Sequence, residues 1–371
     1  MKLTHILLII ASMAAAIIAA GCQGLQNGSI PDTSSAFKGT EGLKISFFEG
    51  APPESVLAGS IMNVALLLEN KGAASIDCKN EGCGNFLVFA KEPIQFLEEN
   101  GLEKAVKESE GLLSGKESYA SGGRAAYAVG KTIMVSPDTK STTALVFAAA
   151  CYPYETKLTT RVCIPTAPYT VPEEKRVCKL EELRFQSQGA PVAIRKIVQN
   201  KFLTIENNKE TVKPNLRVYV ENAGKGIVLD STPEALAKAC TNTELGKEET
   251  KIVSIINVES AEVSGVQLEC NSGRPFTLTG KNDKDFIECV AAQGQGFKRE
   301  EFDNNFVATL SIKLRYGYQT AASTEVEIQG IKEDEASKIQ PPTIPDEKPP
   351  ILSEELPSDF PPMPQFPPED E

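Results

Sequence analysis

The sequence predicts an all-β protein with two tandem β-sandwich domains. Short runs of alternating or β-branched apolar residues recur between residues 44 and 328, and turns rich in Asn, Gly and Pro separate them. The predicted strands include 143–149, 161–164, 216–220, 286–290, 307–314 and 325–328. Short strands with this punctuation are typical of sandwiches. Signatures that occur twice in the same order indicate two copies of one domain. A signal peptide, a flexible tether, one small helical insert and a disordered tail complete the predicted organisation.

Residues 1–21 have the features of a signal peptide. Lys2 precedes an apolar stretch, Ile6 to Ala20, that is shorter than the ~20 residues of a spanning helix but suits a signal. The stretch closes on Ala-Ala-Gly before Cys22, which resembles the lipobox of lipoproteins, whose cysteine is lipidated and begins the mature chain. An uncleaved hydrophobic anchor is the alternative. Both interpretations place the rest of the chain on the extracytoplasmic face of the membrane.

The two ends of the mature chain differ in composition from its centre. Residues 22–41 are rich in Gly, Ser, Asn and Thr, which predicts a flexible tether, and Asn27 begins a glycosylation sequon within it. Residues 331–371 form an acidic, Pro-rich tail that lacks the apolar surface for folding, so disorder is predicted. The run 360–366, Phe-Pro-Pro-Met-Pro-Gln-Phe, is either a docking motif for a partner's aromatic groove or part of a spacer.

The internal repeat predicts domains at 42–171 and 172–330. Each copy of the repeat ends on a strand that carries a Tyr-x-Tyr-x-Thr-x5-Val-x-Ile signature. A helical insert is expected in the first domain from Ile94 to Leu113. The paired signatures are Gly50-Ala-Pro52 with Gly189-Ala-Pro191, Glu69-Asn-Lys-Gly72 with Glu221-Asn-Ala-Gly224, and the tyrosine signatures that begin at Tyr152 and Tyr316.

The cysteines predict four disulfides in addition to lipidated Cys22. An even number of cysteines in an exported protein favours disulfides, and a zinc cluster would want close Cys or His pairs that this chain lacks. The eight are Cys78, Cys83, Cys151, Cys163, Cys178, Cys240, Cys270 and Cys289. A boundary near Val171 leaves four on each side and predicts the pairs Cys78–Cys83, Cys151–Cys163, Cys178–Cys240 and Cys270–Cys289.

Apolar strands that close on Asn-x-Gly and repeat in tandem after an export signal resemble CARDB-type and related immunoglobulin-like modules. Such modules occur in archaeal and bacterial surface proteins. The resemblance covers residues ~42–330 and implies immunoglobulin-like sandwiches used for adhesion, spacing or partner display. It supplies no catalytic residue, cofactor or metal site. Eight cysteines and a helical insert depart from the family pattern.

Candidate chemistry is sparse. The single histidine, His5, lies in the signal, which excludes histidine-dependent triads and metal sites from the mature chain. Oxygen-rich loops at 282–285 and 303–305 are either calcium ligands or solvated turns. The tyrosines of each repeated signature share one face of a strand, where they either stack on a sugar or pack in the core. Their recurrence in both copies favours packing.

These observations predict a non-enzymatic binding or scaffold module of the cell envelope, without catalytic, cofactor or metal residues. The net charge of −12 disfavours nucleic acid. The expected partners are the membrane, through the lipid anchor, and envelope proteins. One alternative is an accessory lipoprotein of a membrane complex that docks through its Pro-rich tail. A second is a carboxylate-based glycosidase.

Lipidation at Cys22 is testable by Cys22→Ser. The variant should lose its anchor or retain its signal, because serine cannot form the thioether. Detergent-phase partitioning and the mass of the mature amino terminus measure this. Correct processing with unchanged membrane binding would contradict the lipoprotein assignment.

Overall fold

The protein is described here by a computed structural model, which covers ten stretches of the chain within the compact unit Met1–Ile331. They are residues 33–77, 85–90, 97–98, 112–128, 133–136, 138–200, 203–206, 209–241, 254–280 and 285–331. The strands are β1 (Leu43–Phe47), β2 (Ser55–Leu57), β3 (Ile61–Met62), β4 (Ala65–Asn70), β5 (Ile76–Asp77), β6 (Asn85–Ala90), β7 (Leu97–Glu98), β8 (Leu112–Leu113), β9 (Arg124–Ala128), β10 (Ile133–Met134), β11 (Thr142–Ile164), β12 (Leu183–Arg184), β13 (Val192–Asn200), β14 (Leu203–Glu206), β15 (Lys209–Val212), β16 (Asn215–Asn222), β17 (Ile227–Leu229), β18 (Ile255–Val263), β19 (Val266–Cys270), β20 (Phe276–Thr277), β21 (Phe286–Ala291), β22 (Phe297–Lys298) and β23 (Phe306–Gln329). The helices are α1 (Thr33–Ala36) and α2 (Pro233–Thr241), with single 3₁₀ turns at Glu173–Lys175, Asn271–Gly273 and Arg299–Glu301.

The strands confirm the all-β prediction. One 13-stranded sheet contains strands of both repeats in the order β12-β13-β16-β21-β19-β18-β23-β11-β6-β7, and β2, β17 and β20 pair beside it. Smaller sheets have the orders β1-β4-β9, β14-β15-β22, β3-β10 and β5-β8. The two repeats therefore share a sheet, which the prediction of tandem domains did not anticipate.

Two long strands form the centre of the molecule. β11 and β23 pair antiparallel along the whole of β11, from Thr142 opposite Ile328 to Ile164 opposite Phe306. The predicted short strands 143–149 and 161–164 are two parts of β11, and 307–314 and 325–328 are two parts of β23. We call this pair the ribbon. The ladder between β11 and β6 ends at Cys151. Pro153 lies beyond that ladder, so its lack of a backbone N–H breaks no hydrogen bond to β6.

The ribbon divides the fold into two lobes. The first lobe comprises β1, β4 and β9 with the first half of β11 and the second half of β23. The second lobe comprises β13, β16, β18, β19 and β21 with the other halves of the long strands. Each long strand thus leaves its own repeat and enters the other repeat's lobe, as shown by Val56 of β2 beside Ile328 of β23. Buried residues of both lobes form one continuous core.

Helix α2 lies on the outer face of the ribbon's middle. Pro233 occupies the first helical position, Glu234 lies in the first turn and Lys238 in the last, which suits the helix dipole. Its buried side chains pack on Cys151 and its neighbours in a small separate cluster that comprises Ala149, Cys151, Leu229, Leu236, Ala239 and Cys240. This helix was not predicted from the sequence. The helix predicted at 94–113 lies outside the described residues, except for Leu97–Glu98 and Leu112–Leu113, which are strands.

The described residues contain three disulfides, and two of the predicted pairings were wrong. The bonds are Cys151–Cys240, Cys163–Cys178 and Cys270–Cys289. Only Cys270–Cys289 was predicted. Cys151 and Cys163 both lie on β11, where twelve residues of extended chain separate them by about 40 Å, so they cannot bond. The other two bonds cross the boundary at 171/172, so the parity argument for that boundary fails. Cys78 and Cys83 lie outside the described residues.

The predicted tether is partly ordered. Residues 33–41 pack on the second repeat: Ala36 is buried, and the N–H of Gly39 donates to Ser187 Oγ at 3.2 Å. Residues 1–32, including Cys22 and Asn27, lie outside the described residues, as do residues 332–371 of the predicted tail. Neither helix of the described stretches is long and apolar enough to span a membrane. The signal peptide and domain boundaries stay predictions.

Peptide mapping without reduction should recover Cys151 joined to Cys240 and Cys163 joined to Cys178. The double variant Cys151→Ser/Cys240→Ser should lose about 2–4 kcal/mol of unfolding free energy, because the bond closes a long loop. Urea denaturation measures the loss. Recovery of a peptide that joins Cys151 to Cys163 would contradict the fold.

Candidate functional site

Four tyrosines fill the middle of the ribbon, and we call Tyr152, Tyr154, Tyr316 and Tyr318 the tyrosine cluster. Residues two apart on a strand share a face, so each sequence pair points into the core. The register places Tyr152 opposite Tyr318 and Tyr154 opposite Tyr316. All four are buried, with ring centroids 5.7 to 6.4 Å apart in edge-on or tilted contacts. Core packing of these rings, the interpretation favoured from sequence, is confirmed.

Two tyrosine hydroxyls bind the start of the first strand in each lobe. The N–H of Leu43, which begins β1, donates to the Tyr152 hydroxyl at 2.9 Å. The N–H of Val192, which begins β13, donates to the Tyr316 hydroxyl at 3.3 Å. Thr156 Oγ1 lies 2.9 Å from the Tyr316 hydroxyl and donates to the Val192 carbonyl. The ribbon thereby fixes where both first strands begin.

The other two hydroxyls bind the asparagines of the repeated Glu-Asn-x-Gly signature. Tyr154 donates to Asn70 Oδ1 at 3.3 Å, and Tyr318 donates to Asn222 Oδ1 at 3.1 Å. Each asparagine also donates its amide to the carbonyl four residues later, Ala74 in the first lobe and Gly226 in the second. These asparagines fix the turns that follow β4 and β16.

The glycines of the repeated Glu-Asn-x-Gly signature are needed for close approach rather than for an unusual backbone conformation. Neither Gly72 nor Gly224 has a positive φ. A Cβ at Gly72 would overlap the Tyr154 hydroxyl, and a Cβ at Gly224 would overlap the Tyr318 hydroxyl. Glycine is required at both positions because the backbone lies so close to a tyrosine hydroxyl that no room is left for a Cβ.

The cluster has a local two-fold arrangement. Equivalent positions of the two tyrosine signatures differ by 164, and the ladder places Pro153 directly opposite its equivalent, Gly317. Equivalent hydrogen bonds at Leu43 and Val192 show that β1 corresponds to β13. The Gly-Ala-Pro signatures therefore do not correspond, since residues 50–52 follow β1 while 189–191 precede β13. The other two repeated signatures do.

Burial shifts the pKa values of the four tyrosines of the cluster. It raises the pKa of Tyr152 and Tyr154 well above the ordinary value near 10, and it also raises the pKa of Tyr316 and Tyr318. The folded protein therefore holds these phenols neutral, whereas the unfolded chain ionises them near pH 10. The part of the unfolding free energy that depends on neutral phenols is fully present below pH ~10 and is lost as the pH rises above it.

A groove of about 380 Å³ opens on the second lobe beside Asn222, Ser254 and Leu278. Two carboxylates line it, Glu221 and Asp285. Paired carboxylates in a cleft are what a glycosidase requires, so the partners of these two groups decide what the groove can do.

Both carboxylates have structural partners. Asp285 is buried and accepts hydrogen bonds from the backbone N–H of Thr279 at 2.9 Å, from its Oγ1 at 2.7 Å, and from the N–H of Gly280 at 2.9 Å. Glu221 is paired with the guanidinium of Arg195. Asp285 therefore orders the turn before β21, and Glu221 joins β16 to β13.

The second predicted oxygen-rich loop holds the segment between the repeats. Asn304 Oδ1 accepts the N–H of Val177 at 3.1 Å, and its amide donates to the Lys175 carbonyl at 3.1 Å. Asn305 Oδ1 accepts the N–H of Ala167, and its amide donates to the Cys178 carbonyl. These side-chain amides hydrogen-bond to the segment that the Cys163–Cys178 disulfide closes into a loop. Of the first such loop, only Asp285 lies within the described residues.

Charged side chains cover the outer face of the ribbon. Glu155 contacts Lys313 at 2.7 Å and Lys157 at 3.0 Å, and Lys313 also pairs with Glu259. Burial raises the pKa of Glu155, but the hydrogen bonds from the two lysines outweigh it and lower the pKa overall. Across the described stretches, no group of three or more His, Cys, Asp or Glu side chains is placed to hold a metal ion.

Comparison of the chain with models of protein families and with curated proteins finds no match. The resemblance to CARDB-type modules stays a prediction. The assignment of function therefore depends on the geometry of the molecule itself.

The hydroxyl contacts predict the effect of Tyr152→Phe. Removing this hydroxyl leaves the N–H of Leu43 buried without its partner, so the unfolding free energy should fall by about 1–3 kcal/mol. Tyr119→Phe, at a half-exposed position, is the control and should change it by less than ~0.5 kcal/mol. Urea denaturation measures both. Equal stabilities of the two variants would contradict the role assigned to the cluster.

Proposed function

We propose that this protein is a lipid-anchored scaffold or binding module on the extracytoplasmic face of the cell membrane, and that it is not an enzyme. The observation that carries the proposal is the ribbon, whose two long strands join both lobes through one continuous core. The tyrosine hydroxyls and the asparagine amides bonded to them hold strands and turns in place. That use of polar groups suits a protein that positions other molecules.

The disulfides support the extracytoplasmic location. Structural disulfides persist in oxidising compartments and are rare in reducing ones. Cys151–Cys240 is fully buried, and together with Cys163–Cys178 it ties the second repeat to β11. A protein outside the cytoplasm, without chaperones that use ATP, benefits from bonds of this kind.

The surface offers apolar contacts for a partner. Leu57 and Ile61 are 53% and 40% exposed and flank one turn at the tip of the first lobe, where the N–H of Ser60 donates to the Leu57 carbonyl. Exposed apolar side chains near one another mark interaction surfaces more often than isolated ones do. Envelope proteins are the proposed partners.

The test combines partner capture with a search for turnover. Cross-linking in native membranes should recover envelope proteins with the wild type, and the pair Leu57→Ser/Ile61→Ser should reduce recovery at least ~5-fold while leaving the melting temperature within a few degrees. Glu117→Gln, an exposed position in the same lobe, is the control.

A screen against envelope polysaccharides and peptides tests the enzyme alternative. We expect no turnover. Turnover that Glu221→Gln or Asp285→Asn abolishes, and Glu117→Gln leaves intact, would contradict the proposed function and assign catalysis to the groove.

A further inference from the structure

The loop that follows β11 carries an exposed tyrosine at the far end of the second lobe. Tyr169 lies shortly after Ile164, the residue that ends β11. It is 67% exposed, which is more than any other tyrosine in the described residues. Burial of an aromatic ring stabilises a fold, so a ring that the fold leaves in solvent is available for contact with another molecule.

The backbone around Tyr169 is held in place on both sides. Before the ring, the N–H of Ala167 donates to Asn305 Oδ1 at 2.9 Å. After it, the N–H of Val171 donates to the Pro168 carbonyl at 3.0 Å, which closes a turn that contains Tyr169. The disulfide at the end of β11 encloses the same segment. The exposed ring therefore projects from an ordered turn.

A buried charged side chain lies against one face of this ring. The guanidinium carbon of Arg299 is 3.8 Å from the centre of the Tyr169 ring, and Arg299 itself is buried. Its Nη2 donates to the Ala167 carbonyl at 2.6 Å, and its Nη1 donates to Glu210 Oε2 at 2.6 Å. The cation–π contact fixes the ring against the lobe. Since one face is covered and the residue is still mostly exposed, the opposite face is open to solvent.

Two side chains of the hairpin formed by β14 and β15 complete the surface. Ile205 and Glu210 are directly opposite each other in the ladder, so their side chains lie on the same face of the hairpin. Ile205 is 73% exposed. The carboxylate of Glu210 binds Arg299 through Oε2 and is partly exposed, so it can accept further hydrogen bonds. We call Tyr169, Ile205 and Glu210 the Tyr169 patch, because Arg299 joins the ring to the hairpin.

We propose that the Tyr169 patch binds a sugar residue of an extracytoplasmic polysaccharide. The proposal rests on the proposed function, because it names a ligand class for a binding module whose folded part lies outside the cytoplasm. A pyranose ring has a flat C–H face with hydroxyls around its rim. Its C–H face stacks on the open face of Tyr169, and a hydroxyl donates to Glu210. The ring is already fixed by Arg299, so binding loses little further side-chain freedom.

The size and chemistry of the patch suit a sugar better than a protein. A stable protein interface covers about 800 Å² on each partner and has a fully buried apolar centre. The Tyr169 patch offers one ring face and one isoleucine, with a hydrogen-bonded carboxylate and guanidinium between them. It also lies at the opposite end of the ribbon from Leu57, so a polysaccharide and a protein partner can be bound together.

Affinity electrophoresis of the full mature chain tests the proposal. The gels contain a neutral glucan, a galactomannan, glycol chitin, alginate or the soluble polysaccharide released from envelopes of the source cells. At least one of these should retard the wild type, and Tyr169→Ala should raise that dissociation constant ~10-fold or more, because the stacking face is lost. Tyr169→Phe keeps the ring and should stay within ~3-fold. Tyr119→Ala, at a half-exposed tyrosine of the first lobe, is the control and should bind as the wild type does.

Retardation of the wild type by none of the polysaccharides would overturn the proposal, and so would equal dissociation constants for the wild type and Tyr169→Ala. If Tyr169→Ala melts more than a few degrees below the wild type, Tyr169→Leu replaces it, since leucine still covers Arg299 but has no ring, and the same loss of binding is expected. Cross-linking to envelope proteins through Leu57 and Ile61 does not involve Tyr169. Failure of the electrophoresis test would therefore remove the sugar site and leave the proposed function standing.

Discussion

Backbone N–H groups buried at the start of β1 and β13 need hydrogen-bond partners, and the rest of the fold follows from how they are supplied. An unpaired N–H in a core costs about 1–3 kcal/mol, which is a large part of the stability of a typical domain. Tyr152 supplies the partner for Leu43 and Tyr316 the partner for Val192. Because both tyrosines lie on the ribbon, ordering of either lobe requires the ribbon to be formed.

The shared ribbon explains where the covalent and polar connections lie. Cys151–Cys240 fastens α2 over the ribbon's middle, and Cys163–Cys178, with the amides of Asn304 and Asn305, fastens the returning chain at the far end of the second lobe. Both disulfides cross the boundary between the repeats.

Local pattern predicted much of this structure and could not predict the rest. Strands such as Leu216–Val220 and Phe286–Val290 were found because alternation is a local property, and the tyrosine signature was interpreted correctly as core. The continuity of β11 was missed because Pro153 and small residues suggest a break, and only pairing with β23 keeps the strand extended. The pairing of Cys151 was missed because sequence proximity favoured Cys163, whereas the strand's length forbids it. The groove beside Asp285 has no sequence signature, since its lining residues come from separate strands and turns.

Hydrogen exchange of the native protein in increasing urea tests the central claim that the two lobes unfold as one unit. The amides of β4 in the first lobe and β16 in the second should converge on one opening free energy and one dependence on urea, because both sheets rest on the same ribbon. Separate convergence of the two strands, with one lobe opening while the other stays protected, would contradict the account.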